Sequence, residues 1–263
     1  MIYCSGMTNN GGYIMGHPDP IAFTIFGIDI RWYGILIACG MLISVLIAAK
    51  RAPRHGFTED DVLDVCIWML PIGVIGARLY YVLFNASYYH SLRDVLDIRS
   101  GGLAIHGGII FGMITVFIIC RRKKIHPLNM LDLFMPCVAL GQAIGRWGNY
   151  FNGEAHGGPT DLPWAILVDG QLVHPTFLYE SIWCLILFFA LSWFDNKKRT
   201  AMGQTLSLYL IFYSLERFLV EGLRTDSLMI GPFKQAQVIS IAAIIAGIIL
   251  YRYVSKKYPL ESK

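Results

Sequence analysis

"RWYGILIACGMLISVLIAAKRAPR", residues 31–54, decides the class of this protein. From Trp32 to Ala49 no side chain is charged, and Lys50, Arg51 and Arg54 follow at once. A helix over residues 32–49 rises about 27 Å, close to the ~30 Å hydrocarbon core of a bilayer. An apolar helix with cations crowded at one end reads as a membrane span whose charged end stays in the cytoplasm.

Working outward, six further apolar runs follow at about 62–84, 103–120, 130–147, 177–194, 204–223 and 236–253. Asp132, Gln142 and Arg146 interrupt the fourth and make it the weakest. Pro71 and Pro136 fall inside the second and fourth runs, where they kink a helix in a bilayer rather than end it. Composition agrees: 55% of the 263 residues are hydrophobic and 15% charged, against roughly a quarter charged in a soluble domain. The expected fold is all-α, a polytopic membrane protein of about seven transmembrane helices, forming one integral-membrane domain over residues 1–263.

Basic residues set the orientation. Clusters follow the first run (Lys50, Arg51, Arg54), the third (Arg121, Arg122, Lys123, Lys124), the fifth (Lys197, Lys198, Arg199) and the seventh (Arg252, Lys256, Lys257, Lys263). The opposite segments hold only Arg31, Arg93, Arg99, Arg224 and Lys234. The positive-inside rule therefore places the N-terminus outside and the C-terminus in the cytoplasm. Residues 1–30 contain no Lys or Arg, so the positive region of a signal peptide is missing and 1–31 reads as an external arm. Residues 148–176, also free of Lys and Arg, form an external loop long enough to carry function. "MLPIGVIGARLYYVLFN" and "FMPCVALGQAIGRWGNYFN" echo each other weakly at the ends of the second and fourth runs.

A charge near the centre of a span costs about 2.5–3.5 kcal/mol on insertion scales, so each one inside a run calls for a partner or a purpose. With the orientation above, the polar residues gather at one leaflet. Arg78 and Arg146 close the second and fourth runs, His106 opens the third, and Tyr179 and Glu180 open the fifth. Arg217, Glu221 and Arg224 close the sixth, and Tyr33 begins the first. Each has a bland alternative: Arg217 and Glu221 can pair along their own helix, an outer arginine can snorkel to headgroups, and a histidine can be a packing residue. Several arginines at one depth point to an anion, and in an outer leaflet the abundant anion is a phospholipid phosphate.

Three segments carry the most specific chemistry, and a fourth adds to them. "GGLAIHGG", 101–108, surrounds His106 with glycines that permit close approach. A helix N-terminus there disfavours the imidazolium and leaves a ring able to accept a proton. "GRWGNYFNGEAHG", 145–157, offers a guanidinium, two amides and a carboxylate where a helix becomes loop. Tyr213, Arg217, Glu221 and Arg224 recur at helical spacing and are expected on one face. "HPTFLYE", 174–180, adds His174, Tyr179 and Glu180, with Pro175 suited to a helix start. The six cysteines, Cys4, Cys39, Cys66, Cys120, Cys137 and Cys184, contain no CxxC pair. Neither a disulfide framework nor a zinc site is indicated, and His17, His156 and His174 are too scattered for a metal.

On "RWYG" (31–34), "HGG" (106–108), "GRWGNYFNGE" (145–154), "HPTFLYE" (174–180) and "ERFLVEGLR" (216–224), the chain resembles the prolipoprotein diacylglyceryl transferase family. The segments come in the family's order and span most of the chain. Phe177, where a polar residue is common, and "AHGG" after "NGE" depart from its pattern. The resemblance implies seven helices with the N-terminus outside, in the bacterial cytoplasmic (inner) membrane. It implies transfer of the diacylglyceryl group of phosphatidylglycerol to the lipobox cysteine of a preprolipoprotein signal peptide. A thioether forms and glycerol 1-phosphate leaves, the first step of lipoprotein maturation. It places the family's essential histidine on His106, its phosphatidylglycerol-binding arginine on Arg146 and a second essential arginine on Arg217. Supporting positions fall on Tyr33, Asn149, Glu154, Gly157 and Glu221, and Arg78 joins the expected lipid-contacting residues through its depth. The expected partners are phosphatidylglycerol, the preprolipoprotein and membrane lipids. No cofactor, metal or nucleic acid is implied. The rival is a transporter of an anion or lipid, which needs polar lining through both leaflets; here it gathers at one.

Overall fold

The computed structural model describes residues 15–16, 18–89, 91–98 and 101–260; Cys4, His17, Arg99 and Lys263 lie outside them. Eight helices are present among the described residues: α1 Trp32–Arg51, α2 Glu59–Phe84, α3 Leu92–Leu96, α4 Ile105–Arg122, α5 Pro127–Asn152, α6 Thr176–Lys197, α7 Gln204–Leu223 and α8 Gln235–Lys257. Every expected apolar run lies on one of the long helices. Six of these are long and apolar enough to cross a membrane: α1 with its trailing 3₁₀ turn, α2, α4, α5, α6 and α8. The protein is an all-α, multi-pass membrane protein. α7, the sixth expected run, is 20 residues long but carries Glu216, Arg217 and Glu221, and it is not among the six. Ile67, Trp68, Ile186, Phe189 and Ile249 stand exposed on the helices, as they do where lipid is the solvent.

Helix boundaries follow local chemistry. α2 begins three residues before its apolar run because Thr58 and Asp61 form a capping box: the Thr58 hydroxyl accepts from the Asp61 amide at 3.1 Å and Asp61 accepts from the Thr58 amide at 3.0 Å. Pro71 and Pro136 sit inside α2 and α5 without ending either.

The chain divides into two compact units, residues 1–47 with 132–263, and residues 48–131. In the second, α2 packs on α4 across glycines. A Cβ on Gly107 would lie 2.2 Å from the Gly76 carbonyl oxygen, so only glycine permits that approach. In the first, α5, α6, α7 and α8 are accompanied by short strands. β1 (Met15–Gly16) pairs in parallel with β4 (Ile166–Val168), which pairs antiparallel with β5 (Gln171–Val173). Two further hairpins, β2–β3 (Ile21–Ile25, Ile28–Arg31) and β6–β7 (Met229–Ile230, Phe233–Lys234), directly precede α1 and α8.

Asp132, a charge inside an expected span, is explained by this unit. It is wholly buried and accepts from the amides of Gly203 (2.6 Å) and Leu206 (2.9 Å). It also pairs with Arg199 at 3.1 Å, and Arg199 reaches Asp195 at 3.2 Å. The left-handed Gly203 supplies no side-chain cap for α7, so a carboxylate from α5 satisfies the amides at that helix N-terminus.

Candidate active site

Two arginines from different helices meet on one carboxylate. Glu180, fully buried on α6, holds Arg146 of α5 through Oε2 and Arg217 of α7 through Oε1, each at 3.1 Å. Arg217 also pairs with Glu221 Oε2 at 2.8 Å. Among the described residues, Arg146 Nη2 has only the Tyr213 hydroxyl, at 3.5 Å. The arginine side chains keep 19% and 24% of their surface exposed. The two arginines are thus spaced by a buried anion and their side chains are not fully covered, an arrangement suited to a second, incoming anion.

Local structure sets this geometry. α6 starts at Thr176, whose hydroxyl donates to the Ala155 carbonyl, placing Glu180 just over one turn into the helix. Pro175 stands at the N-cap of α6, one position before the helix proper. Trp147 donates to the Ser181 hydroxyl at 3.2 Å, and Ser181 donates to the Ala143 carbonyl at 2.8 Å. These bonds fix α5 against α6 on either side of Arg146.

The expected supporting residues surround the end of α5. The Tyr33 ring packs so closely on Gly148 that a Cβ there would sit 2.5 Å from its Cδ2. Asn149 and Asn152 both donate to Glu154 Oε1 at 3.1 Å, and the Glu154 amide donates to the Asn149 carbonyl at 3.1 Å. Asn149 and Glu154 therefore build the helix exit as a unit. Gly157 donates to the His174 carbonyl (2.9 Å), and Gly158 to the Leu223 carbonyl (2.9 Å). A Cβ on Gly157 would lie 2.7 Å from His174 Cβ, so this glycine lets the loop lie against the ends of α6 and α7.

Arg224 corrects one expectation. α7 ends at Leu223, and Arg224 is its extended C-cap, so it does not continue the face of Tyr213, Arg217 and Glu221. It pairs instead with both oxygens of Asp226, at 2.9 and 2.7 Å, and that guanidinium holds the Asp226 carboxyl below the usual carboxylate range. Lys234 crosses back to cap α7, donating to the carbonyls of Glu221 (2.7 Å) and Arg224 (2.8 Å).

In the unit of residues 48–131, His106 is the second residue of α4 and exposed, with the Tyr80 ring 6.1 Å away. The helix N-terminus expected at this position is present. Arg78 is a second correction. It is 5% exposed, and its five N–H donors all go to backbone carbonyls, of Asp94, Val95, Asp97, Gly101 and Gly102, at 2.7–3.0 Å. Its guanidinium also lies over the Tyr89 ring at 5.0 Å. Arg78 organises the segment before α4 and has no donor left for a lipid.

One residue of the arginine cluster, Glu216, is not singled out by the sequence, and the role of another, Glu180, is not legible there. Glu180 was visible as a carboxylate opening an apolar helix, but nothing local shows that it is shared by two arginines. Glu216 was hidden beside Arg217. It is 2% exposed, and among the described residues neither carboxylate oxygen has a hydrogen-bond partner.

Residues 20–253 match the family described as prolipoprotein diacylglyceryl transferase. A relative from Clostridioides difficile (strain 630), named phosphatidylglycerol–prolipoprotein diacylglyceryl transferase, is 55% identical over 240 residues, covering 91% of this chain and 96% of that protein. A relative of the same name from Finegoldia magna is 53% identical over 233 residues, 88% of this chain and 94% of that protein. Another, from Thermotoga maritima, is 47% identical over 237 residues, 86% of this chain and 81% of that protein.

Proposed function

The chain belongs to the prolipoprotein diacylglyceryl transferase family, and from that premise we propose that it moves the diacylglyceryl group of phosphatidylglycerol to the lipobox cysteine of preprolipoproteins. The substrate sulfur attacks the glyceryl carbon and the C–O bond to phosphate breaks. A thioether forms, glycerol 1-phosphate departs, and the thiol proton passes to a base. The observation that carries this reading is the pair of partly exposed arginines, Arg146 and Arg217, spaced by the buried Glu180. Negative charge grows on the phosphate as the bond breaks, and fixed guanidiniums stabilise it without reorganising. Glu221 pairs with Arg217, and we assign supporting roles to Tyr33, Asn149, Glu154 and Gly157, at the start of α1, the end of α5 and the loop that follows it.

The base we assign is His106. A free thiol near pKa 8.5 is only a few per cent thiolate at pH 7, so proton removal accelerates attack. His106 stands in the first turn of α4 and is exposed. We further propose that α7 is the seventh span, its charges tolerated because Arg217 is paired with Glu180 and Glu221. The basic clusters support an external N-terminus and a cytoplasmic C-terminus, and the family supports placing the chain in the bacterial inner membrane, with the active site facing its outer leaflet.

Incubating the purified protein with phosphatidylglycerol and a lipobox peptide tests the reaction, with mass spectrometry reading the diacylglyceryl adduct. Arg146→Ala should abolish most transfer, and Arg146→Lys should not restore it, because lysine lacks the bidentate fork. No adduct from the wild-type protein, or near-normal transfer by folded Arg146→Ala, would overturn the assignment.

A further inference from the structure

The arginine cluster contains more acid than base. Arg146 and Arg217 supply two positive charges; Glu180, Glu216 and Glu221 supply three carboxylates, all at most 3% exposed. Fully ionised, the cluster is negative by one charge, although the proposed ligand is itself an anion. Glu180 and Glu221 each have a guanidinium within 3.1 Å. Among the described residues Glu216 has none, and both its oxygens are without a hydrogen bond.

A carboxylate taken out of water without a partner is the costliest state a side chain can adopt in such surroundings, and the alternative is to carry a proton. The charges and titratable groups around Glu216 are known from each neighbouring helix. α6 brings Glu180 and Cys184, α5 brings Arg146, and α7 itself brings Tyr213 and Arg217. α8, packed on α7, has no ionisable side chain from Gln235 to Leu250. Arg146 and Arg217 are the only cations in this set, and both are engaged by Glu180. A neutral carboxylic acid is a hydrogen-bond donor that the free protein leaves unused.

Resting on the reading that Arg146 and Arg217 receive the lipid phosphate, we infer that Glu216 is the proton carrier of the phosphate site, binding the phosphodiester anion only as its neutral acid. With Glu216 neutral, the two arginines balance Glu180 and Glu221, and the lipid adds one negative charge. With Glu216 ionised, the same site would hold two uncompensated charges. Lipid binding therefore takes up one proton wherever free Glu216 is ionised. Glu216 acts on binding, through charge, and is a positioning residue in that sense.

Dihexanoyl phosphatidylglycerol is a suitable probe, because its phosphodiester does not titrate between pH 6 and 9. Calorimetry on the full-length protein in detergent, in two buffers of different ionisation enthalpy, measures affinity and protons taken up together. Dihexanoyl phosphatidylcholine controls for partition into micelles. The wild-type dissociation constant should rise with pH, by up to about tenfold per unit where one proton is coupled, with matching proton uptake. Glu216→Gln mimics the neutral acid and should bind with no such slope, whereas Glu216→Asp should keep it. A slope that survives Glu216→Gln belongs to another group and overturns the inference. So does a flat wild-type profile with no proton uptake, which needs no variant to fold. If Arg146→Ala bound the lipid as well as wild type, the underlying arginine assignment would fail instead.

Discussion

Glu180→Gln is the most informative single change at the arginine cluster. The substitution keeps the volume and removes the charge that both guanidiniums share. One amide position becomes an NH2 group facing a cation, so one of the two 3.1 Å contacts turns from attraction to repulsion. Only the Arg217 contact is a hydrogen bond and the Arg146 contact is an ion pair, and breaking such a buried charge pair costs on the order of 3–5 kcal/mol. Solvent recovers little of this, since the arginines are at most 24% exposed. The loss falls unevenly: Arg217 keeps Glu221 at 2.8 Å, whereas Arg146 keeps the longer contact to Tyr213 at 3.5 Å. Arg146 should therefore lose its position first. If about 3 kcal/mol of that is expressed in the transition state, turnover falls roughly 10²-fold. The same loss should lower the unfolding midpoint by on the order of 10 °C. Glu180→Asp, one methylene shorter, should keep one pair and fall between. The assays are the initial rate of peptide modification and thermal unfolding followed by tryptophan fluorescence in the same detergent. A Gln variant that unfolds at the wild-type temperature and turns over within twofold of wild type would refute the shared-carboxylate argument.

Three other outcomes follow from the same structure. Arg78→Gln should lose most of the bonds to residues 94–102, speeding proteolysis of that segment while leaving short-chain lipid affinity within about threefold; a large loss of affinity without new cleavage would return Arg78 to the lipid site. His106→Gln should slow transfer about 10²–10⁴-fold, the range for a general base, with partial recovery as pH rises and the peptide thiol ionises; equal impairment up to about pH 9.5 would assign His106 another role. In a cysteine-free background, Asp161→Cys should react with an impermeant thiol reagent added outside intact cells, whereas Lys197→Cys should not; the reverse pattern would invert the topology.

The amino-acid sequence by itself determined what depends on local composition. Hydropathy over twenty-residue stretches placed the long helices, because one helix satisfies its own backbone in lipid whatever its neighbours are. The cationic loops supplied an orientation, and Arg146, Arg217 and His106 stood out because charge and glycine are conspicuous in apolar runs. Partnership was not legible, because it is a property of helices that meet only after folding. Arg217 and its partner Glu180 are 37 residues apart, Asp132 and Arg199 are 67 apart, and no periodicity connects them. Tertiary structure alone decided that Asp132 caps α7 rather than lining a path. It decided that Arg78 spends its donors on its own loop, and that Arg224 leaves the helix face its spacing suggested. It also decided that Glu180 serves two arginines while Glu216, next to one of them in the chain, is left with none. In a low-dielectric interior the energy of a charge is set by its nearest counter-charge, and that neighbour is chosen by packing.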